Sequence, residues 1–263
     1  MITSGAERVG TEFAGLSVAV TGGASGIGAV TADWFAQRGA SVACLDLLAP
    51  PDKESVRGFV CDVRDDVSVR DAVASAVAWM GGLDVLINNA GIASLGTLET
   101  QTDADWQRVF DVNVFGMVRT SRAALPWLKR SRNAAIVNIS SAVARVGLPN
   151  RTLYSATKGA ILSLTRAMAA DYISVPIRVN CVTPGVVDTP WQARAVADAP
   201  APELRLSQLR AMQPSGVLVS SLQVAAAIGY LASPASGATT GIDLPVDGGM
   251  QTVHLLSAAL RNP

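Results

Sequence analysis

The chain contains a single histidine, His254, close to its C-terminal end. A Ser-His-Asp hydrolase needs a histidine beside its nucleophile and a catalytic zinc centre usually takes two or three, so both chemistries lack their parts and no metal site is expected. His254 itself reads as a surface or interface residue. Charge is scarce and balanced, with 16% charged residues and 21 basic against 21 acidic side chains. That balance gives nucleic acid no basic footprint and a basic partner no acidic tail. Hydrophobic residues make up 49% of the chain, yet no apolar stretch reaches the roughly 18 residues that crossing a membrane requires. The three cysteines, Cys44, Cys61 and Cys181, are odd in number, far apart and each in or beside an apolar run. They read as buried thiols rather than a disulfide framework. Residues 1–11 carry Glu7 and Arg8 and no apolar secretion core, which predicts a flexible leader, a domain over 12–263 and a cytoplasmic protein.

What is present begins with glycine. The apolar run Leu16 to Val20 enters Thr21-Gly22-Gly23-Ala24-Ser25-Gly26-Ile27-Gly28 and then a helical pattern with Val30, Trp34 and Phe35. A strand, a glycine turn and a helix in that order let backbone approach a pyrophosphate while the helix N-terminus offers it free N–H groups. The turn lacks the Gly-Lys-[Ser/Thr] of a nucleotide triphosphate loop, and Ile27 stands where a nucleophile elbow needs glycine. A second apolar run, Val42 to Leu45, ends on Asp46, placed to accept the adenosine ribose hydroxyls and to repel a 2′-phosphate. No basic residue sits in the glycine turn or directly after Asp46, so NAD is expected over NADP.

Tyr154 and Lys158 are spaced i and i+4, on one face if their segment is helical, and Ser141 lies thirteen residues before the tyrosine. An unperturbed phenol titrates near 10 and needs a neighbouring cation to exchange protons at neutral pH. Tyr154 beside Lys158 can therefore be a general acid or base, with Ser141 holding an oxygen on which charge develops.

These motifs, with Asp62-Val63, Asn88-Asn89-Ala90-Gly91, Asn113 and Pro184-Gly185-Val186-Val187-Asp188-Thr189, resemble in order and over nearly the whole chain the short-chain dehydrogenases/reductases. The resemblance implies a catalytic set of Asn113, Ser141, Tyr154 and Lys158, with Ser141 chosen over Ser140 by the family's spacing. It implies that Gly22, Ser25, Gly26, Ile27 and Gly28 hold the pyrophosphate side of NAD. Asp62 and Val63 would hold the adenine, and Asn89, Ala90 and Gly91 the adenosine side. Pro184, Gly185, Val187 and Thr189 would hold the nicotinamide end, and Tyr154 and Lys158 its ribose. Asn113 would carry a water linking Lys158 to solvent. A homotetramer is also implied, pairing the helix at about 155–172 and that near 107–130 across a two-fold axis, with the segment after Asp247-Gly248-Gly249 as a second contact.

Apolar runs at 16–20, 42–45, 57–61, 83–87, 135–139, 177–182 and 242–246 predict a single-domain, Rossmann-like α/β fold with a doubly wound parallel sheet of about seven strands. Residues 47–56 are too short for a full helix. The proline-punctuated stretch at about 190–216 is expected to be a lid over the substrate. A small molecule is the expected partner. The strong anion-binding candidates nearby are Arg145, Arg151, Arg194, Arg205 and Arg210, and Arg151 with Arg194 are the expected substrate contacts beside Ser141 and Tyr154. The surrounding segments are similar to family members acting on 3-hydroxybutyrate and 2-keto-3-deoxy sugar acids, which favours a small hydroxy acid or sugar acid. Met212 and Val217 stand where many of those members have arginines, so a neutral sugar, polyol, steroid or 3-oxoacyl thioester stays open, as does a cofactor-binding regulator without chemistry.

Overall fold

The computed structural model describes residues 10–255. The expected leader at 1–11 falls almost wholly outside them. Seven parallel strands form one sheet: β1 (Ser17–Thr21), β2 (Ser41–Asp46), β3 (Val56–Val60), β4 (Val85–Asn88), β5 (Ala135–Ile139), β6 (Arg178–Pro184) and, near the C-terminus, Asp243–Val246. The last of these is β9, because two short strands precede it, β7 (Val187–Asp188) and β8 (Val219–Ser220), which pair only with each other. The sheet order is β3-β2-β1-β4-β5-β6-β9. Each predicted apolar run is a strand of this sheet. Parallel strands covered on both faces bury every side chain, and β1, β4 and β5 are buried throughout.

Helices cover both faces. Val18 and Val20 of β1 point into a core shared with α1 (Gly26–Ala36) and α8 (Ser221–Ala232), whereas Ala19 points into the opposite core, against α2 (Asp66–Met80) and α4 (Gly116–Leu128). That alternation is the two-residue period of a strand. Asp65 caps α2 by accepting from the Val67 N–H at 2.9 Å, and Gly81, at φ +78°, ends it. The chain crosses from β1 to β2 on one side and reaches β4 on the other, so the crevice for a ligand opens at the C-terminal ends of β1 and β4.

Two features refine the expected elements. The helix predicted near 107–130 is built of α3 (Asp103–Phe110), a π-helical turn over Asp111–Phe115, and α4, joined without a break. The stretch at 190–216 is mostly helical: α6 (Pro190–Ala197) and α7 (Pro202–Ala211) each begin on proline, which tolerates a first-turn position because no N–H is required there. The remaining helix, α5 (Thr152–Asp171), follows the loop after β5. No helix among the described residues is long and apolar enough to cross a membrane.

Candidate active site

The glycine turn is built for an anion. Gly22 sits at φ +66°, and a side chain on Gly28 would run into the Gly22 carbonyl oxygen, so the turn folds tightly onto the start of α1. Ser25 precedes that helix without a side-chain cap, and its first turn holds no acidic residue, which leaves N–H groups and the positive end of the helix dipole facing the crevice. The donor set and charge fit a pyrophosphate. The Asn89 amide secures the turn, donating to the Thr21 carbonyl at 3.0 Å and the Gly22 carbonyl at 3.1 Å. The Thr21 hydroxyl accepts the Asn89 and Ala90 N–H groups at 3.0 Å each. Thr21 escaped the sequence reading, although it opens the glycine motif. The Thr189 methyl lies next to Gly26, so the start of α6 comes up against the glycine turn. Thr189 also caps α6 by accepting the Gln192 N–H at 3.2 Å.

Asp46, at the end of β2, accepts the Ala24 N–H at 3.0 Å and so lies against the glycine turn. Asp62 is held by Arg64 through both carboxylate oxygens, at 2.6 to 3.1 Å, and this guanidinium is the first cause of a carboxyl held below its usual range. Val63 is buried, with its carbonyl accepting from Arg119 at 3.1 Å. Val187 is buried in β7, and β6 ends at Pro184, after which Gly185 lies against Asp247 and the buried side chain of Gln213.

At the crevice floor, α5 carries Tyr154 and Lys158 on one face, with Lys158 Nζ 5.6 Å from the centre of the tyrosine ring. Lys158 is only 4% exposed, and its ammonium donates to the carbonyl of Ile139, the last residue of β5, at 2.9 Å. A buried ammonium is tolerated only when bonded, and this bond anchors it. The two adjacent serines diverge. Ser140 donates to the Lys158 carbonyl at 2.7 Å, whereas Ser141 accepts one long bond, 3.4 Å, from the Val143 N–H and has no acceptor of its own among the described residues. Asn113 sits in the π turn, 1% exposed. Its side chain clamps Ile92, accepting that residue's N–H at 2.8 Å and donating to its carbonyl at 3.0 Å, and also donates to Thr157 at 3.1 Å. Both of its amide protons are thus taken by protein, so a water linking it to Lys158 would have to donate to Oδ1, which accepts only the Ile92 N–H among the described residues. A Cβ on Gly91 would lie 3.2 Å from Asn113 Oδ1 and 3.6 Å from Lys158 Nζ. Glycine there keeps open the space the two groups share.

A buried polar ladder holds this floor rigid. Asn88 of β4 donates to Asn138 of β5 at 2.9 Å and to Ser121 of α4 at 3.0 Å; Asn138 donates to Thr165 of α5 at 2.9 Å. Helix α5 is thereby fixed to two central strands. Composition gave no sign of it, because the partners are remote in sequence.

The structure sorts the five arginine candidates. Arg145 is tied to Asp243 of β9 by paired bonds of 2.8 and 2.6 Å, with Arg166 as a second partner at 3.1 Å, so it is a structural cation rather than an anion site. Arg194 and Arg210 are exposed, while Arg151 and Arg205 are half-buried. A cavity of about 420 Å³ between α6 and α7, lined by Leu206, Val196, Val217 and Arg210 among others, contains none of the expected catalytic residues. The cysteines take no part: all are buried and unbridged, and burial pushes the Cys44 and Cys181 thiols up to about 12 and that of Cys61 to about 11.

A strand-turn-helix anion cradle and a crevice floor with tyrosine, lysine and serine define a dinucleotide-binding oxidoreductase. A family model described as enoyl-(acyl carrier protein) reductase matches residues 22–251. The chain is 40% identical over 257 residues to cis-4-hydroxycyclohexanecarboxylate dehydrogenase of Sinomonas cyclohexanicum, covering 93% of this chain and 100% of the relative. It is 34% identical over 256 residues to L-fucose dehydrogenase of Bos taurus, covering 92% of each. Among solved structures, ligand-free aldohexose dehydrogenase of Thermoplasma acidophilum superposes with a TM-score of 0.88 at 33% identity, over 94% of this chain and 98% of that one. The chain belongs to the short-chain dehydrogenase/reductase family.

Proposed function

We propose that the protein is an NAD-dependent oxidoreductase interconverting a secondary alcohol and a ketone, with a small hydroxy acid or sugar acid as substrate and a homotetramer as its working form. The observation that carries the reading is the floor of the crevice, where the buried Lys158 lies 5.6 Å from the centre of the Tyr154 ring and shares with Asn113 a space kept open by Gly91. A nicotinamide cofactor bound there takes or gives the hydride. Gly22, Ser25, Gly26, Ile27 and Gly28 would hold its pyrophosphate, Asp46 its adenosine ribose, Asp62, Val63, Asn89 and Ala90 the rest of the adenosine, and Pro184, Gly185, Val187 and Thr189 its nicotinamide end.

The chain's own residues then do three things. Tyr154 moves the proton on the substrate oxygen. Lys158, fixed by the Ile139 carbonyl, brings positive charge to the phenol. Ser141, with its proton uncommitted, donates to the same oxygen. Asn113 keeps the loop after β4 in register with α5 through Ile92 and Thr157. For the substrate, the half-buried Arg151 favours a carboxylate, and Arg194, exposed on α6, would stand at the mouth of the crevice. A neutral sugar is the second reading, favoured by the similarity to the fucose and aldohexose dehydrogenases.

The test is Tyr154→Phe. Turnover of any accepted alcohol should fall by about 10²- to 10⁴-fold, the range for loss of general acid–base catalysis, with NADH affinity within about twofold of the native value. Loss of NADH binding in step with turnover would sink the assignment.

A further inference from the structure

The hydroxyl of Thr157 joins two residues of the site, and its single proton decides how. Thr157 is fully buried on α5, between Tyr154 and Lys158 in sequence. Its hydroxyl donates to the Tyr154 carbonyl at 2.8 Å, back along its own helix, so toward any other partner it can only accept. That partner is the Asn113 amide, which donates to it at 3.1 Å. The amide also donates to the Ile92 carbonyl, and its oxygen takes the Ile92 N–H. One unbroken run of bonds therefore leads from the loop after β4, through the π turn, to the backbone of Tyr154.

The two holds on Asn113 differ in what they fix. The Ile92 backbone, one donor and one acceptor, sets which end of the amide is oxygen. Thr157 sets where that amide stands relative to α5. Without the hydroxyl, a buried amide proton of Asn113 loses its acceptor, a costly state that Asn113 can leave only by turning away from Ile92. What would move is Oδ1. It and Lys158 Nζ border one point, 3.2 and 3.6 Å from where a Cβ of Gly91 would stand. A shift of the amide therefore alters the polar wall that faces the lysine.

We propose that Thr157 is a positioning residue of the reaction: its hydroxyl, acting through Asn113, holds the Asn113 oxygen at the space shared with Lys158 and keeps the loop after β4 in register with Tyr154. Its effect on turnover rests on the oxidoreductase reading; its effect on Ile92 does not. Serine has the same hydroxyl, and valine has nearly the same shape without one, so the two substitutions separate the hydrogen bond from the packing.

Hydrogen exchange at the Ile92 amide, followed by NMR in the full-length protein, should speed up at least about tenfold in Thr157→Val and stay within about threefold of native in Thr157→Ser. With whichever of 3-hydroxybutyrate and L-fucose the native protein oxidises, Thr157→Val should lower kcat about tenfold with the KM for NAD within about twofold, and Thr157→Ser should keep at least about a third of kcat. Added to Asn113→Ala, Thr157→Val should cost less than about a further twofold, because both act on one amide. NADH binding reports that each variant is folded, and Thr157→Ala replaces Thr157→Val if the latter fails this check. Unchanged Ile92 exchange in the valine variant, equal damage from serine and valine, or a loss fully additive to that of Asn113→Ala overturns the role. The exchange measurement needs no substrate, so failure of the Tyr154→Phe comparison removes the oxidoreductase reading, while unchanged Ile92 exchange removes only the role of Thr157.

Discussion

Asp46 is where, on the proposed reading, a single side chain would set the choice of cofactor. Its carboxylate is held against the glycine turn by the Ala24 N–H and is half-buried, so its charge is only partly screened. At an effective dielectric near 20, two unit charges about 4 Å apart repel by about 4 kcal/mol, which is ample to exclude a 2′-phosphate. The neighbouring Leu47 and Leu48 are exposed and offer that phosphate nothing in return. The native protein should therefore use NAD in preference to NADP, and Asp46→Ala should narrow the ratio of kcat/KM for the two cofactors by at least about tenfold. Steady-state rates with each cofactor decide it, and a native preference for NADP would be fatal to the role given to Asp46. At this scale the sequence was informative because the groups that do chemistry are polar residues in short motifs whose spacing survives folding. It was silent on the fate of Arg145, since the carboxylate that takes it, Asp243, is 98 residues away.

Packing between elements is governed by close approaches that allow no extra atom. The contact of α1 with α8 rests on Gly229: a Cβ there would enter the indole ring of Trp34, itself packed edge-on against Phe13 and Phe35. Gly229→Ala should destabilise the fold by about 1–3 kcal/mol through overpacking, despite alanine's better helix propensity. Denaturant unfolding followed by tryptophan fluorescence measures it, and an unchanged or raised stability would contradict this account. The seven sheet strands could be read from the sequence because parallel strands buried on both faces are continuous apolar runs. The π turn could not. Its bond from the Gly116 N–H to the Asp111 carbonyl spans one residue more than an α-helical bond, and Asp111–Phe115 has no composition that distinguishes it from ordinary helix. The paired strands β7 and β8, two residues each, are likewise too short to leave a pattern.

For the whole molecule, the outer face of α5 is unfinished. Ser163 and Ala167 are exposed, nothing lies within 4 Å of a Cβ built on Gly159, and Phe115 at the end of the π turn is 51% exposed. Small residues permit close helix approach, and an exposed aromatic on the π turn, which packs against α5, is a cost that a second copy would remove. Light scattering at micromolar concentration should give a mass four times that of the 27.2 kDa chain. Ala167→Arg should split this species into smaller ones, and a native monomer would refute the assembly.

The π turn has a consequence for how such a chain can change. A helix running from Asp103 to Leu128 needs no extra residue to span its length, yet this one contains it, and Asn113 lies within the widened turn. The fold would be served equally well by a chain one residue shorter there, with an unbroken α-helix over α2 and β4. The register that brings Asn113 to Ile92 and Thr157 would then be gone. Architecture and chemistry are in this place written in separable letters, so a deletion could silence the site while leaving the outline of the molecule as it was.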